Sequence, residues 1–562
     1  MSARTPGLAR LVPVLAVALS LTWASARAAT ITIVNLDGPG EGFNDPTPVA
    51  PVGGNPGTTV GAQRLYVFQY AANIWGSILP SPVEILVNAN FDPLTCDGSS
   101  AVLGSAGPTF TESDFPGADK TMTWYHVALA NRLAGVDLEP ADADIDAQFN
   151  SDIGKPECFP LPWYYGIDGN EGTAIELLPV VIHELGHGLG FSTSTIAGAE
   201  EVFPSIYDYF LYDKTVGIHW PDMAPGARSA SSVNCNNLVW DGAKVKAQSP
   251  SRLGPKPLLR VNSPPTIAGD YNIGQASFGP ALSLSGLTGN LVLVQDGMGV
   301  PTNGCEPFTN AAQVSGNIAL IDRGACTFVI KVKNAQNAGA IAVVVADSVP
   351  GCPPVGMGGA DPTITIPAVR ITQDVGAQLK AALLLGSVNA TVRLDPALKA
   401  GGDPDGSVQV YTPNPYQTGS SVSHWDTSCY PDLLMEPALN QSLSRDVDLT
   451  RAAFDDIGWF KGVTAVGDPP PRRGLEPGFP NPTTGRCTIG YTLERDSDVS
   501  LAIYDLSGRR VSELVSGRML AGHHAARWDG TDRSGRHVPP GVYHYRLRAG
   551  SMDVGDHIVI VR

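Results

Sequence analysis

The chain has 562 residues, 43% hydrophobic and only 16% charged, which is too long for a single core and too apolar for a disordered tail. Its 37 Lys and Arg against 54 Asp and Glu leave a formal net charge of −17, and no basic face of the kind nucleic acid requires stands out, so nucleic acid is excluded as a partner. Gly at 62 and Pro at 47, without a collagen period, predict many turns, short strands and long loops.

Arg4 and Arg10 precede an apolar run from Leu11 to Leu21, and small residues follow from Ala24 to Ala28. This is the layout of a secretory signal peptide over residues 1–28, and the run is too short to stay as a membrane anchor. No later stretch reads as a transmembrane segment, so the mature protein is expected to be secreted, extracellular or at a cell surface. The eight cysteines (Cys96, Cys158, Cys235, Cys305, Cys326, Cys352, Cys429 and Cys487) include no CxxC pair and suit disulfides in an oxidising compartment.

Residues 29–60 are rich in Gly and Pro and read as a loose lead-in, with a short inhibitory propeptide left open. Leu65, Phe68, Ala72 and Trp75 recur at helical spacing within Gly61–Leu79. A strand is expected at Val83–Asn88, a second helix at Thr121–Leu133, and strands at Ala143–Asn150 and Trp163–Ile167. Thr173–Leu189 reads as a third helix, with Thr173 and Glu176 as a capping box and Pro179 as an awkward early residue or the true start. Residues 265–395 change texture to short apolar runs around one clear helix, Phe328–Ala338, which marks an inserted α/β module. The catalytic region resumes over 396–462 with a helical ending. A Pro/Gly/Arg linker at 463–478 then leads to alternating strands over 479–562, the pattern of a small all-β sandwich.

His183-Glu184-Leu185-Gly186-His187 is an HExxH motif on the third helix. Residues four apart share a helix face, so His183 and His187 can grip one Zn²⁺ while Glu184 stands beside them as general base. The local extension stops short of a third ligand, because Thr193 occupies the place where HExxHxxGxxH would end in histidine. His523, His524, His537, His544 and His557 belong to the C-terminal module. This leaves His126, His219 and His424, or Glu200 and Glu201 if the ligand is a carboxylate. Asp168-Gly169-Asn170 is the best stretch for Ca²⁺, but it lacks the ordered run of oxygen ligands of an EF-hand loop.

HELGHGLGFS (His183–Ser192), Ser423-His424-Trp425, Asp432–Pro437 (DLLMEP) and AAFDDIGW (Ala452–Trp459) together resemble the leishmanolysin-like metzincins. The resemblance implies His424 as third metal ligand, Met435 as the floor beneath the metal, and an edge strand that aligns the substrate, with ADIDAQFN or WYYGI in that role. The long insertion departs from the family pattern. It carries Cys305-Glu306-Pro307, GNIALIDRGAC (Gly316–Cys326), AQNAGA (Ala335–Ala340) and Ile366-Pro367-Ala368, and resembles a protease-associated (PA) domain, a non-catalytic module that covers or screens access to a site. Cys305 and Cys326 both fall in it and are the expected disulfide pair. The last module, with Gly478–Thr483, Trp528-Asp529-Gly530 and Gly541-Val542-Tyr543, is similar to immunoglobulin-like domains of the flagellar hook-capping protein and to type IX sorting domains. It would serve secretion or cell-surface machinery, or act as a spacer.

The expectation is an α/β (α+β) metzincin-like catalytic domain in two parts (29–264 and 396–462), interrupted by an α/β PA domain and followed by an all-β Ig-like sandwich. Its activity would be zinc-dependent endopeptidase hydrolysis of a protein or peptide substrate through a metal-bound water. The alternative is a secreted or surface binding and adhesion protein with a vestigial metal site.

Overall fold

The computed structural model describes residues 28–461, except 99, 200–202, 298 and 439–445. In the C-terminal part it describes 475, 483, 487–493, 495, 497–505, 509–519, 522–550 and 552–560. The signal segment, Glu200, Glu201 and nearly all of the 463–478 linker lie outside the described residues. The chain divides into two compact units, one ending at Gly462 and one beginning at Val463.

The first unit starts with a strand where a loose lead-in was expected. β1 (Ile31–Asn35) pairs in parallel with β2 (Ile85–Asp92), and Ala29 and Ile31 are buried in the core. Gly and Pro masked a segment whose polar side chains are used up inside the fold. Asn55, only 1% exposed, donates to the carbonyls of Gln63 and Tyr165, and Asp37 accepts from the backbone of Phe43 and Phe91. α1 (Val60–Ile78) is capped by Thr59, whose hydroxyl accepts from Ala62 N, and it buries Val67, Phe68, Ala71, Ala72 and Trp75.

The sheet is completed by β3 (Gly104–Pro108) and β4 (Ile145–Asn150), in the order β1-β2-β4-β3. β4 runs parallel to β2, while β3 is antiparallel to β4 and forms an edge. The ADIDAQFN stretch is therefore interior, hydrogen-bonded on both sides, and cannot receive a substrate strand. WYYGI contributes only Trp163–Tyr164, paired with Ile175–Glu176 outside this sheet. The short α2 (Val127–Ala134) begins after a two-residue strand, Tyr125–His126, so the helix expected from Thr121 starts six residues late.

α3 spans Leu177–Gly188 and buries Leu178, Val181, Ile182 and Leu185. It starts after neither Thr173 nor Pro179. Glu176 occupies the N-cap position without a side-chain cap, so the expected capping box is absent. Pro179 sits in the first turn, where its missing N–H goes unneeded.

The inserted module forms an eight-stranded sheet that begins at Pro255–Ser263 and closes at Asn389–Lys399, two strands paired with each other, so its boundaries lie outside 265–395. Central strands Ile318–Asp322, Ala342–Ala346 and Ala368–Ile371 are parallel and covered on both faces. Ala342, Val344 and Ala346 enter one core, and Val343 and Val345 enter the other, which accounts for the unbroken apolar runs. The chain then returns to the first unit and ends it with α4 (Thr450–Ile457), whose Phe454 packs on Trp75 of α1.

The second unit is all β. Cys487–Leu493 pairs with Gly522–Trp528, and a four-stranded sheet runs in the order Arg510–Met519, Ser497–Tyr504, Gly541–Ala549, Met552–Ile560. Tyr543, Tyr545 and Leu547 point inward, and His544, Arg546 and Arg548 between them are exposed.

Candidate metal centre

His183 and His187 stand one turn apart on α3, and the structure brings His424 to them across 237 residues of chain. The three Nε2 atoms form a near-equilateral triangle with sides of 3.1, 3.1 and 3.2 Å. Each ring is anchored from behind. His183 Nδ1 donates to Leu434 O at 2.7 Å, His187 Nδ1 to Phe191 O at 2.8 Å, and His424 Nδ1 to Ser420 O at 2.8 Å. A carbonyl only accepts, so each proton sits on Nδ1 and each Nε2 presents a lone pair. Three lone pairs converge with no proton to share. That donor set fits a cation, and three neutral imidazoles with space for a fourth ligand suit zinc.

Among the described residues this is where three or more His, Cys, Asp or Glu side chains gather closely enough to hold a metal. Burial lowers the His183 ring to about 4, and burial together with like charge from His183 lowers His424 to about 3, so the neutral form required of a ligand prevails at neutral pH. Burial pushes the Glu184 carboxyl up to about 8, partly offset by the backbone N–H of Ala106 on β3. A cation at the triad would act in the opposite direction.

Close packing holds these groups in place. A Cβ on Gly186 would meet Met435 Sδ at 2.8 Å, so the fully buried thioether lies directly against α3. A Cβ on Gly104 would lie 3.2 Å from Glu184 Cγ, which puts edge strand β3 against the glutamate. Gly190, at φ +129°, ends the helix, and Trp459 Nε1 caps it by donating to Leu189 O. His424 sits on a folded-back segment in which Val422 N donates to Tyr411 O, Tyr411 N to His424 O, and Trp425 N to Met435 O. Val422 adopts φ +72°, a strained conformation for a β-branched residue, two positions before the histidine.

The other candidates lie elsewhere. His219 is half-exposed, with Nε2 2.9 Å from Asp241. His126 is buried between Gly188 O and Ser192 Oγ at the start of α2. Thr193, at the place of the missing local histidine, donates to Asp208. Asp168 is engaged by Tyr164 and Asn170, Asp347 by Arg323 and Arg370, and Asp361 by Thr363. Cys96 and Cys158 form a disulfide with each other and so offer no thiolate, and Cys305 pairs with Cys326. The third bridge, Cys235–Cys352, was not legible from spacing. Nor was Asp448, whose carboxylate accepts from Leu434 N and from Thr450 and thereby ties the Met435 turn to α4.

Three family models match parts of the chain. Residues 287–379 match the PA domain, residues 482–553 match the FlgD Ig-like domain, and residues 58–222, which contain the HExxH motif, match a family described as SPBPB7E8-like. The protein therefore carries a PA domain and a C-terminal Ig-like domain. Vacuolar-sorting receptor 1 of Pisum sativum is 34% identical over 149 residues, covering 24% of this chain and 23% of the receptor. Probable lipoprotein aminopeptidase LpqL of Mycobacterium tuberculosis is 38% identical over 78 residues, 14% of this chain and 16% of that protein. The chain thus spans less than a quarter of the length of these relatives. Among solved structures, an aminopeptidase from Aneurinibacillus sp. strain AM-1 is 28% identical with a TM-score of 0.20, covering 25% of this chain and 31% of that one. No helix among the described residues is long and apolar enough to cross a membrane.

Proposed function

We propose that the protein is a secreted, zinc-dependent peptidase of metzincin type that cleaves within protein or peptide chains. The observation that carries this reading is the convergence of three Nδ1-anchored imidazoles beside Glu184. His183, His187 and His424 would hold the ion. Zinc, when bound, supplies Lewis acidity that polarises a carbonyl and brings the pKa of a water to about 7.

The chain's own residues do the rest. The carbonyls of Leu434, Phe191 and Ser420 fix the tautomers, so all three rings remain acceptors toward the metal. Glu184 takes the proton from the attacking water on its carboxylate and delivers it to the leaving amine nitrogen. β3, antiparallel at the edge of its sheet and packed on α3 beside Glu184, offers backbone groups on which an extended substrate can lie. An open strand edge accepts the middle of a chain as well as its end, which favours internal cleavage over removal of single N-terminal residues. The three disulfides suit an oxidising, extracellular setting.

The test uses the zinc-loaded full chain on a peptide blocked at its N-terminus. Internal cleavage is expected. Glu184→Gln should keep stoichiometric zinc and lose about 10²–10⁴-fold in rate. Undiminished cleavage by that variant would end the general-base assignment, and cleavage confined to free N-termini would replace the endopeptidase reading with an aminopeptidase one.

A further inference from the structure

We propose that the PA domain is a brace for the metal centre, and that Cys235, Cys352 and Asn236 are positioning residues for ligand His424. This rests on the zinc-peptidase reading and goes beyond it, because it gives the insertion a part in holding the metal.

The argument starts from where the insertion is attached. Cys352, in the PA domain, is bonded to Cys235, which lies in the catalytic part before the insertion. Beside this bridge, Cys352 N donates to Asn414 O and Asn414 N donates to Cys352 O, so the PA loop is zipped to the segment that goes on to deliver His424. Thr412 Oγ1 on the same segment donates to Asn234 O, next to the bridged Cys235.

A second tie runs through buried amides. Asn272, on the PA-domain strand Gly269–Asn272, donates to Asn236 Oδ1. Asn236 in turn donates to Gln409 Oε1 at 3.0 Å and to Asp426 Oδ1 at 3.4 Å. Gln409 and Asp426 lie on the two arms that flank the ligand, joined by Asp426 N donating to Gln409 O. Asp426 is completely buried two residues beyond His424. Asn236 holds φ +62°, a conformation that asparagine tolerates better than other side-chain-bearing residues and that aims both its amide atoms into this network.

His424 comes from a loop, whereas His183 and His187 come from a helix that fixes their spacing. A loop ligand needs outside support, and the support here comes from the insertion on one side and the Met435 turn on the other. Removing partners that orient a metal ligand costs roughly 10–100-fold in metal affinity.

The experiment measures zinc affinity of the full chain by competition with a chromogenic chelator. Cys235→Ser with Cys352→Ser is compared with Cys305→Ser with Cys326→Ser, which opens a bridge inside the PA domain. The interface pair should weaken zinc binding by about tenfold. The internal pair should stay within about twofold of wild type. Saturating zinc should restore cleavage in the interface pair, which it would not do for a misfolded chain. Asn272→Ala, a milder change, should weaken zinc by about threefold and decides the matter if the serine pair fails to fold. Wild-type zinc affinity in both interface variants overturns the brace, as does equal weakening in the internal pair. A wild-type chain that holds no zinc overturns the peptidase reading and the brace with it, so the two failures are distinguishable.

Discussion

In the PA domain, Lys331 is completely buried, and its ammonium donates to the carbonyls of Asn303 and Gly324. Arg370 is nearly as enclosed, and the Asp347 carboxylate meets it and Arg323 together. Buried charge there is satisfied within one contiguous stretch of chain. In the metal centre the outer nitrogens of three histidines are satisfied in the same manner, but the inner ones face each other with nothing between them. The contrast teaches which buried polar group is structural and which awaits a ligand: the first has partners in every direction, and the second has partners everywhere but one.

The sharpest way to break that contrast is His424→Ala. If the triangle is a metal site, zinc affinity should fall by more than about 100-fold, beyond what loss of a merely orienting partner costs, as read by chelator competition. Retained stoichiometric zinc would move the third ligand to a residue such as His219. Lys331→Met tests the other side. It keeps the buried stem but strands two carbonyls, and should lower stability by about 1–3 kcal/mol in denaturant melts with zinc affinity unchanged. A loss of zinc from that variant would erase the distinction between the two regions. The smallest effect is expected at Leu384 and Leu385, which are 88% and 91% exposed at the end of a PA-domain helix. Changing both to Ser should shift stability by no more than about 0.5 kcal/mol and leave zinc binding alone.

The legible parts of the sequence were those whose signal is local. HExxH needs only helical periodicity, and the inserted module shows itself through runs such as AIAVVVA that only a sheet covered on both faces demands. The Ig-like tail alternates at every second residue. The edge strand escaped because Gly104-Ser105-Ala106-Gly107-Pro108 has none of the β-branched or aromatic residues by which strands are recognised. Its glycine is there because Glu184 and Phe149 leave no room for a side chain. β1 escaped because Gly and Pro surround it, and the Tyr125–His126 strand because two residues carry no period. His424 could be reached only through the resemblance at Ser423-His424-Trp425 and the Met435 turn. Nothing in residues 188–423 says that the loop returns, because that information lies in contacts between distant segments. The Cys235–Cys352 bridge is of the same kind.

The 237 residues between His187 and His424 also set a timetable. At about 5–20 residues per second of synthesis, His424 emerges roughly 12–50 s after the helix that awaits it. In that interval the whole insertion is made, and it has its own sheet to close. The nascent protein therefore passes through a stage in which α3 has neither Met435 beneath it nor α4 behind it. The apolar side of that helix is then bare, and its protection depends on whatever meets the growing chain.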